Sequence, residues 1–479
     1  MPLRTASLVA LVAVIAACAT NPVTGRRELS LMSEGQEISV GRESDPQIKA
    51  EMGVYNDPEL QRYVSDLGLR LAQRSQRPNL PWQFTVVDQP AINAFAVPGG
   101  FIYITRGILA FLEDEAELVG VIGHEIGHVA ARHSAQQYSR TVLGSVGLAA
   151  AGIFVPATRQ FGQIGETALG ALMLKYGRED ELQSDQLGAQ YAAGGGWDPA
   201  GVPGMLSTLG RLDEASGSRK GVPNWLSTHP DPLARVQEIQ PLVQQLKAGR
   251  ADLVTNADAL QRRIDGLIFG DNPEQGVIRG SSFLHPPLRF QVDFPNGWEV
   301  VNSPQQVAAK APGADVFMVL QLVPKATGGV EQVAITTMRS AGFQAVSGER
   351  TTINGLDAFV GVYEGQAEGL GMVASRAAHI AHGGNVFLIA GLVPRQSFAQ
   401  ADAAFTGAIR SFRPLSASEA ERIRPARIDL YVVRPGDTWA ALAGRSGGAV
   451  KPEALAIMNQ LAPGSSPPAG ARIRIVVAG

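Results

Sequence analysis

Intramolecular disulfides are excluded from this chain, because its 479 residues include a single cysteine, Cys18. Stability therefore has to come from packing or from a bound metal. An excess of one charge is missing as well: 41 Lys and Arg stand against 44 Asp and Glu, a formal net charge of −3. Such a balance gives no electrostatic footprint for nucleic acid. The small group Arg422, Arg424 and Arg427 reads as a solvated linker. No apolar run reaches the ~18 residues of a membrane-spanning helix, and no fixed-period repeat points to a solenoid. What is present is ordinary for a folded protein, with 45% hydrophobic and 18% charged residues, 54 Gly and 30 Pro. The length exceeds one hydrophobic core and predicts two or three domains.

The position of the cysteine says more than its rarity. Arg4 precedes an apolar run over residues 6–17 that suits the h-region of a signal peptide. The run ends in Ile15-Ala16-Ala17-Cys18, which resembles a bacterial lipobox. That resemblance implies a leader of residues 1–17, cleavage before Cys18 and acylation of its thiol and new amino group. An ordinary secretory signal with an incidental cysteine is the alternative. Ala19, where an Asp would retain a lipoprotein at the inner membrane, implies an outer-membrane destination. The expected location is the periplasmic side of a bacterial envelope, held by acyl chains that anchor stably only when there are several.

Residues 18–29 read as a Pro/Gly/Arg-containing tether, and residues 30–75 as helical, with Leu60, Tyr63, Val64, Leu67 and Leu71 at helix spacing. Residues 82–105 then switch to period two. Phe84-Thr85-Val86-Val87 is one strand, and Phe95-Ala96-Val97 and Phe101-Ile102-Tyr103-Ile104 flank the hairpin turn Pro98-Gly99-Gly100. A helix is predicted over 113–133. The arrangement is an α+β domain over 30–265, mainly helical with a small antiparallel sheet. The apolar stretch 142–157 is too short to span a bilayer and reads as a buried or groove-lining segment, with an interfacial role as the alternative. Glycines punctuate a boundary at 266–282, and strand-like text resumes from Phe290. A linker over 414–427 separates a last segment, 428–479, of about 50 residues, below the usual size of a domain.

The chemistry sits in His124-Glu125-Ile126-Gly127-His128. Histidines at i and i+4 share one helix face, so both imidazoles reach a single ion. Glu125 stands beside them, placed to take a proton from a water at the metal. Leu118, Val119, Val121, Ile122, Ile126 and Val129 make the helix a buried one, and buried ionisable groups need partners or a metal. A third ligand is available downstream in Arg178-Glu179-Asp180-Glu181-Leu182-Gln183-Ser184-Asp185. Glu181 and Asp185 share a face, so Glu181 can ligate while Asp185 orients a ligand histidine through its second nitrogen. Alone, this acidic run would be a solvated helix face. His133, five residues past His128, lies off the metal-facing stripe and reads as a packing or surface residue, and His285, His379 and His382 are spare.

These motifs resemble the gluzincin metallopeptidases of the HtpX and CAAX prenyl endopeptidase family, above all its soluble periplasmic, BepA-like branch. The matching residues are Asn93-Ala94-Phe95-Ala96-Val97-Pro98-Gly99-Gly100, the HExxH helix extended through Ala131-Arg132-His133, Glu181 with Asp185, and Ser227-Thr228-His229-Pro230 with Arg235. Ser184 stands where the family usually has Ala. The resemblance covers roughly residues 20–265. It implies one Zn²⁺ per chain held by His124, His128 and Glu181, with Glu125 as general base and Asp185 in support. It also implies that His229 is a regulatory or transition-state ligand, the alternative being a loop histidine at a helix N-terminus. Asn93, Phe95 and Arg235 are candidate substrate contacts. The implied activity is endopeptidase cleavage of misfolded or misassembled envelope proteins.

Two further resemblances concern the rest of the chain. Residues 283–415 resemble a PsbP-like α/β domain through Phe294-Pro295-Asn296-Gly297-Trp298, and no catalytic cluster is visible there. Tyr431-Val432-Val433-Arg434-Pro435-Gly436-Asp437-Thr438-Trp439, with Met458-Asn459-Gln460-Leu461, resembles a LysM domain, a βααβ fold that binds N-acetylglucosamine-containing glycans. Asp437, Thr438 and Asn459 are its candidate glycan contacts and peptidoglycan its candidate partner; a packing module that binds nothing is the alternative. The LysM-like segment raises a rival function, peptidoglycan hydrolysis, although HExxH with a distant Glu is unlike the His/Asp sets of wall peptidases. A lipid-anchored chaperone or adaptor with a latent protease site is the other rival, and the intact Glu125 argues against it.

Overall fold

The computed structural model describes residues 18–30, 32–137, 139, 176–216, 225–367 and 369–479. The expected leader (1–17) and the apolar stretch 142–157 lie outside the described residues. Two compact units emerge: one combines the described residues up to Gly270 with Ala426–Ala478, and the other centres on Asp271–Pro425. No helix among the described residues is long and apolar enough to cross a membrane.

In the first unit, the residues read as a tether pair as an antiparallel hairpin, β1 (Cys18–Thr20) with β2 (Arg27–Leu29). Asn21 ties this hairpin inward by donating to the Ala131 carbonyl at 3.1 Å. Two helices follow. Glu34–Met52 starts at a Ser33/Gln36 capping box, and Pro58–Ala72 starts with Asp57 as N-cap and Pro58 at its first position. The second helix buries Leu60, Val64, Leu67 and Leu71, the face its periodicity predicts.

β3 (Gln83–Val87), β4 (Ala94–Val97) and β5 (Phe101–Thr105) form a sheet in the order β3-β5-β4. The predicted hairpin is present as the β4–β5 pair. The sheet is mixed rather than antiparallel, because β3 runs parallel to β5. Period-two patterning reports which face of a strand is buried and carries no direction. Here the chain passes beyond the position of β5 to lay down β4 at the edge, then turns back into the gap.

The central helix, Glu115–Ala130, is buried over its whole length. Its N-cap is Asp114, whose side chain accepts from the Glu117 N–H, and Glu115 adds an acidic side chain in the first turn, at the positive end of the helix dipole. The acidic helix, Arg178–Gly195, packs directly on it. Glycine sets that distance. A Cβ on Gly123 would lie 3.0 Å from Gly188 Cα, and one on Gly127 would lie 3.0 Å from Ser184 Cα. Larger residues would push the helices apart, and with them the side chains they bring together.

Residues 426–478 belong to this same unit. Strand Ala426–Val432, helices Trp439–Gly444 and Pro452–Met458, and strand Arg472–Val477 occur in the predicted β-α-α-β order. The first of these strands also pairs with Ile268–Phe269, and Leu442, Leu455, Ile457 and Ile475 join the same apolar core as the central helix. Arg474, 1% exposed, donates to the carbonyls of Ala110, Leu112 and Met458 and to the Glu113 carboxylate.

The second unit holds a seven-stranded antiparallel sheet, whose long meander is Gln344–Ile353, Leu356–Ala367, Gly371–His382 and Asn385–Pro394. Helix Phe398–Ser411 packs on one face through Phe405 and Ile409 against Ala378 and Ile380. Helix Val330–Ser340 packs on the other through Met338 against Ala377, since consecutive strand residues point to opposite sides. His285, His379 and His382 lie in this unit.

Candidate metal centre

The His124 and His128 side chains leave the same face of the central helix, and their Nε2 atoms approach to 3.0 Å. The acidic helix brings Glu181 to the same point: its Oε1 is 3.5 Å from His128 Nε2, and its Oε2 is 3.7 Å from His124 Nε2. His229 follows the short helix Trp225–Thr228 and closes the group, with its Nε2 4.0 Å from Glu181 Oε1 and 3.6 Å from Glu125 Oε1. The ligand atoms of His124, His128, Glu181 and His229 all lie within 4.8 Å of one another. All four residues are buried, as is Glu125.

Each imidazole has a hydrogen-bond partner behind it. His124 Nδ1 is 2.9 Å from Asp185 Oδ1. His128 Nδ1 is 2.9 Å from His133 Nδ1. His229 Nδ1 lies 2.8 Å from Thr228 Oγ1 and 3.2 Å from the Trp225 carbonyl. The rings are also stacked, His128 on Tyr176 and His229 on Trp225, each at 3.9 Å between centroids. With Nδ1 engaged, each Nε2 is left facing the common point.

Arg235 holds the acidic side together. It is fully buried and grips Asp185 with two hydrogen bonds, at 2.8 and 2.7 Å, while its Nη1 bonds Glu181 Oε2 at 2.5 Å. This corrects its reading as a substrate contact: the guanidinium is spent on the two carboxylates. Burial would raise the Asp185 pKa, but the hydrogen bonds from His124 and Arg235 and the charge of Arg235 outweigh it and hold the carboxyl below its usual range. Burial lowers His124 to about 4, against the pull of Asp185. It also holds His128 and His229 well below the ordinary histidine range. The three imidazoles are therefore neutral, the form a metal ligand requires. Burial pushes Glu125 up to about 8 and Glu181 well above its usual range, in both cases against the charge of Arg235.

The residues fit a cation. Both carboxylate oxygens of Glu125, Glu181 Oε1 and His229 Nε2 are buried without a hydrogen-bond partner. Each such atom costs about 1–3 kcal/mol if left unpaired. An ion at the point of convergence would satisfy Glu181 Oε1 and His229 Nε2 together with the other two imidazoles. Three nitrogens and one oxygen form a donor set for a divalent transition metal.

The remaining predicted residues fall elsewhere. Phe95 points its ring into packing, stacked on Tyr103 at 4.9 Å, so only its backbone on the edge strand β4 remains as a substrate contact. Asn93 is buried with Oδ1 unpartnered. In the C-terminal segment, Asp437 accepts from Tyr431 and the Arg434 N–H, Thr438 caps helix Trp439–Gly444, and Asn459 bonds Leu455 and Arg474. All three serve the local fold, and the glycan-binding expectation finds no support in them. His133, read as a packing or surface residue rather than a ligand, is buried outside the cluster and contacts one of its members, His128. Tyr176, Trp225 and Gln183 also belong to the site and carry no motif in the sequence.

Residues 58–243 match the family model described as Peptidase family M48. The chain is 31% identical over 238 residues to the beta-barrel assembly-enhancing protease of Escherichia coli (strain K12), a match covering 48% of this chain and 48% of that protein. It is 28% identical over 237 residues to the mitochondrial metalloendopeptidase OMA1 of Schizosaccharomyces pombe (strain 972 / ATCC 24843), covering 48% of this chain and 67% of that one. The chain thus spans about half the length of the Escherichia coli relative. Among solved structures, cyanobacterial PsbP (CyanoP) from Synechocystis sp. PCC 6803 aligns over 30% of this chain and 98% of its own, with 15% identity and a TM-score of 0.23. Every member of the cluster falls within residues 58–243, so the part of the chain that builds the site is similar to peptidase family M48.

Proposed function

We propose that this chain is a zinc-dependent metalloendopeptidase. The observation that carries the reading is the convergence of His124, His128, Glu181 and His229 within 4.8 Å, with the unpartnered Glu125 carboxylate beside them. Zinc suits a nitrogen and oxygen donor set and tolerates an open position for water. When bound, it would polarise a scissile carbonyl and acidify water. The protein's own residues do the rest. Glu125 takes the proton of the attacking water on a carboxylate oxygen and passes it to the leaving amine. Asp185 and Arg235 keep His124 and Glu181 in position. The edge of β4, which has no ladder partner among the described residues on that side, supports pairing with an extended peptide.

His229 reads as a latch. With four protein donors a site is closed, whereas a catalytic zinc keeps one position for water. Its stack on Trp225 and its buried Nε2 support this assignment, and displacement of His229 would open the position. Unfolded or misassembled envelope proteins are the substrate class we propose, by analogy with the relative named for β-barrel assembly.

The test compares wild type with Glu125→Gln for metal content and for digestion of an unfolded protein. Equal metal with digestion lost supports the mechanism. Digestion that survives in the variant contradicts it.

A further inference from the structure

We infer that His133 and Gln183 are positioning residues that fix the tautomer of His128. The inference rests on the metalloendopeptidase reading, because it concerns how one imidazole is prepared for an ion. His128 Nε2 faces the cluster, so a neutral His128 that ligates through it carries its proton on Nδ1. That proton needs an acceptor, and the atom in place is His133 Nδ1 at 2.9 Å. His133 accepts there only if its own proton sits on Nε2. Nε2 lies 2.9 Å from Gln183 Oε1, an acceptor, with Asp180 Oδ1 at 3.7 Å. The chain Gln183–His133–His128 is thus consistent at every link, and reversing any donor would spoil the next. Ser184 Oγ, 3.4 Å from His133 Nδ1, sits on the same side.

The backbone is built to place this ring. The helix stops at Ala130, and Arg132 takes a left-handed conformation, φ 62°. For an L-residue that costs roughly 1–2 kcal/mol. Arg132 is held there by Glu37, which accepts from its Nε at 2.6 Å, and by the Met32 carbonyl. Arg77 adds a clamp, donating to both Glu37 and the Val129 carbonyl. The turn swings His133, five residues past His128, back against it, where a continuous helix would carry it off the metal-facing side. The two helical ligands are supported unequally: His124 has the Asp185 carboxylate behind it, and His128 has a second imidazole, that of His133.

The test measures the affinity of the metal-free protein for Zn²⁺ alone, by competition with a chromophoric chelator. His133→Ala is expected to weaken affinity by about 10–100-fold, the usual effect of removing a hydrogen-bond partner of a ligand histidine. His133→Asn keeps an acceptor near the Nδ1 position and should restore most of the affinity, whereas His133→Gln, which mimics Nε2, should not. Gln183→Glu keeps the acceptor and the wild-type affinity, while Gln183→Lys offers only donors and lowers it. A packing role would move all the His133 variants together and leave Gln183→Lys unchanged, so either pattern overturns the proposal. If wild type binds Zn²⁺ and His133→Ala, still folded, binds equally well, the proposal falls and the enzyme reading stands. If wild type binds none, both fall. Unfolding of His133→Ala shifts the decision to the two Gln183 variants, whose side chain is only partly buried.

Discussion

His124 and Asp185 meet at 2.9 Å, imidazole Nδ1 to carboxylate oxygen, from two helices 61 residues apart in the chain. The carboxylate is kept ionised by the same bond and by Arg235, so it accepts the Nδ1 proton and leaves His124 Nε2 with its lone pair free. Asp185→Ala removes that acceptor and also strands Arg235. Zinc affinity is expected to fall by about 10–100-fold, with digestion falling alongside it. A chelator titration of the folded variant checks this, and unchanged affinity would remove Asp185 from the account.

His229→Ala tests the latch. Three donors would remain, enough for a catalytic site with a position open to water. Digestion of an unfolded protein by the variant is expected to rise several-fold over wild type at equal metal content. A fall in rate with metal retained would instead make His229 part of the working site.

Glu117 gives a pH signature separate from the metal. Burial pushes its pKa up to about 8, the backbone N–H of Glu113 pulling the other way. The fold therefore holds the proton more tightly than the unfolded chain does. The resulting stabilisation is fully present below the usual carboxylate pKa near 4.5 and is lost as pH rises to about 8. Chemical denaturation from pH 5 to 8 should show wild type losing stability relative to Glu117→Gln, the gap closing towards low pH. Parallel curves would remove Glu117 as the cause.

Arg474 tests whether the C-terminal segment supports the catalytic half of its unit. Its guanidinium takes two carbonyls and a carboxylate from residues 110–113, immediately before the central helix. Beside it, Gln460 reaches Glu117 and Thr208. Arg474→Leu leaves the Ala110 and Leu112 carbonyls buried without that donor and should cost about 3 kcal/mol in denaturant unfolding. A loss below about 0.5 kcal/mol, the range of ordinary surface changes, would contradict the clamp.

The sequence exposed these features unequally. HExxH is legible because helical periodicity alone brings residues i and i+4 together. Glu181 and Asp185 follow only once that motif asks for a third ligand, since an acidic run is otherwise solvated. His133 stays out of the ligand set, as its spacing predicts, but its contact with His128 was hidden by a single backbone angle, the left-handed Arg132. The parallel pairing of β3 escaped because alternation has no direction. Arg474 escaped because arginine on a terminal strand is usually exposed, and only the fold shows that residues 110–113 cover it.

The convergence of two imidazoles and a carboxylate on one point is tested most directly by elemental analysis of the purified chain beside a His124→Ala/His128→Ala double variant. About one zinc per chain in wild type and almost none in the folded variant is the predicted result. Equal metal in the two proteins, or none in wild type purified with zinc present, would contradict it.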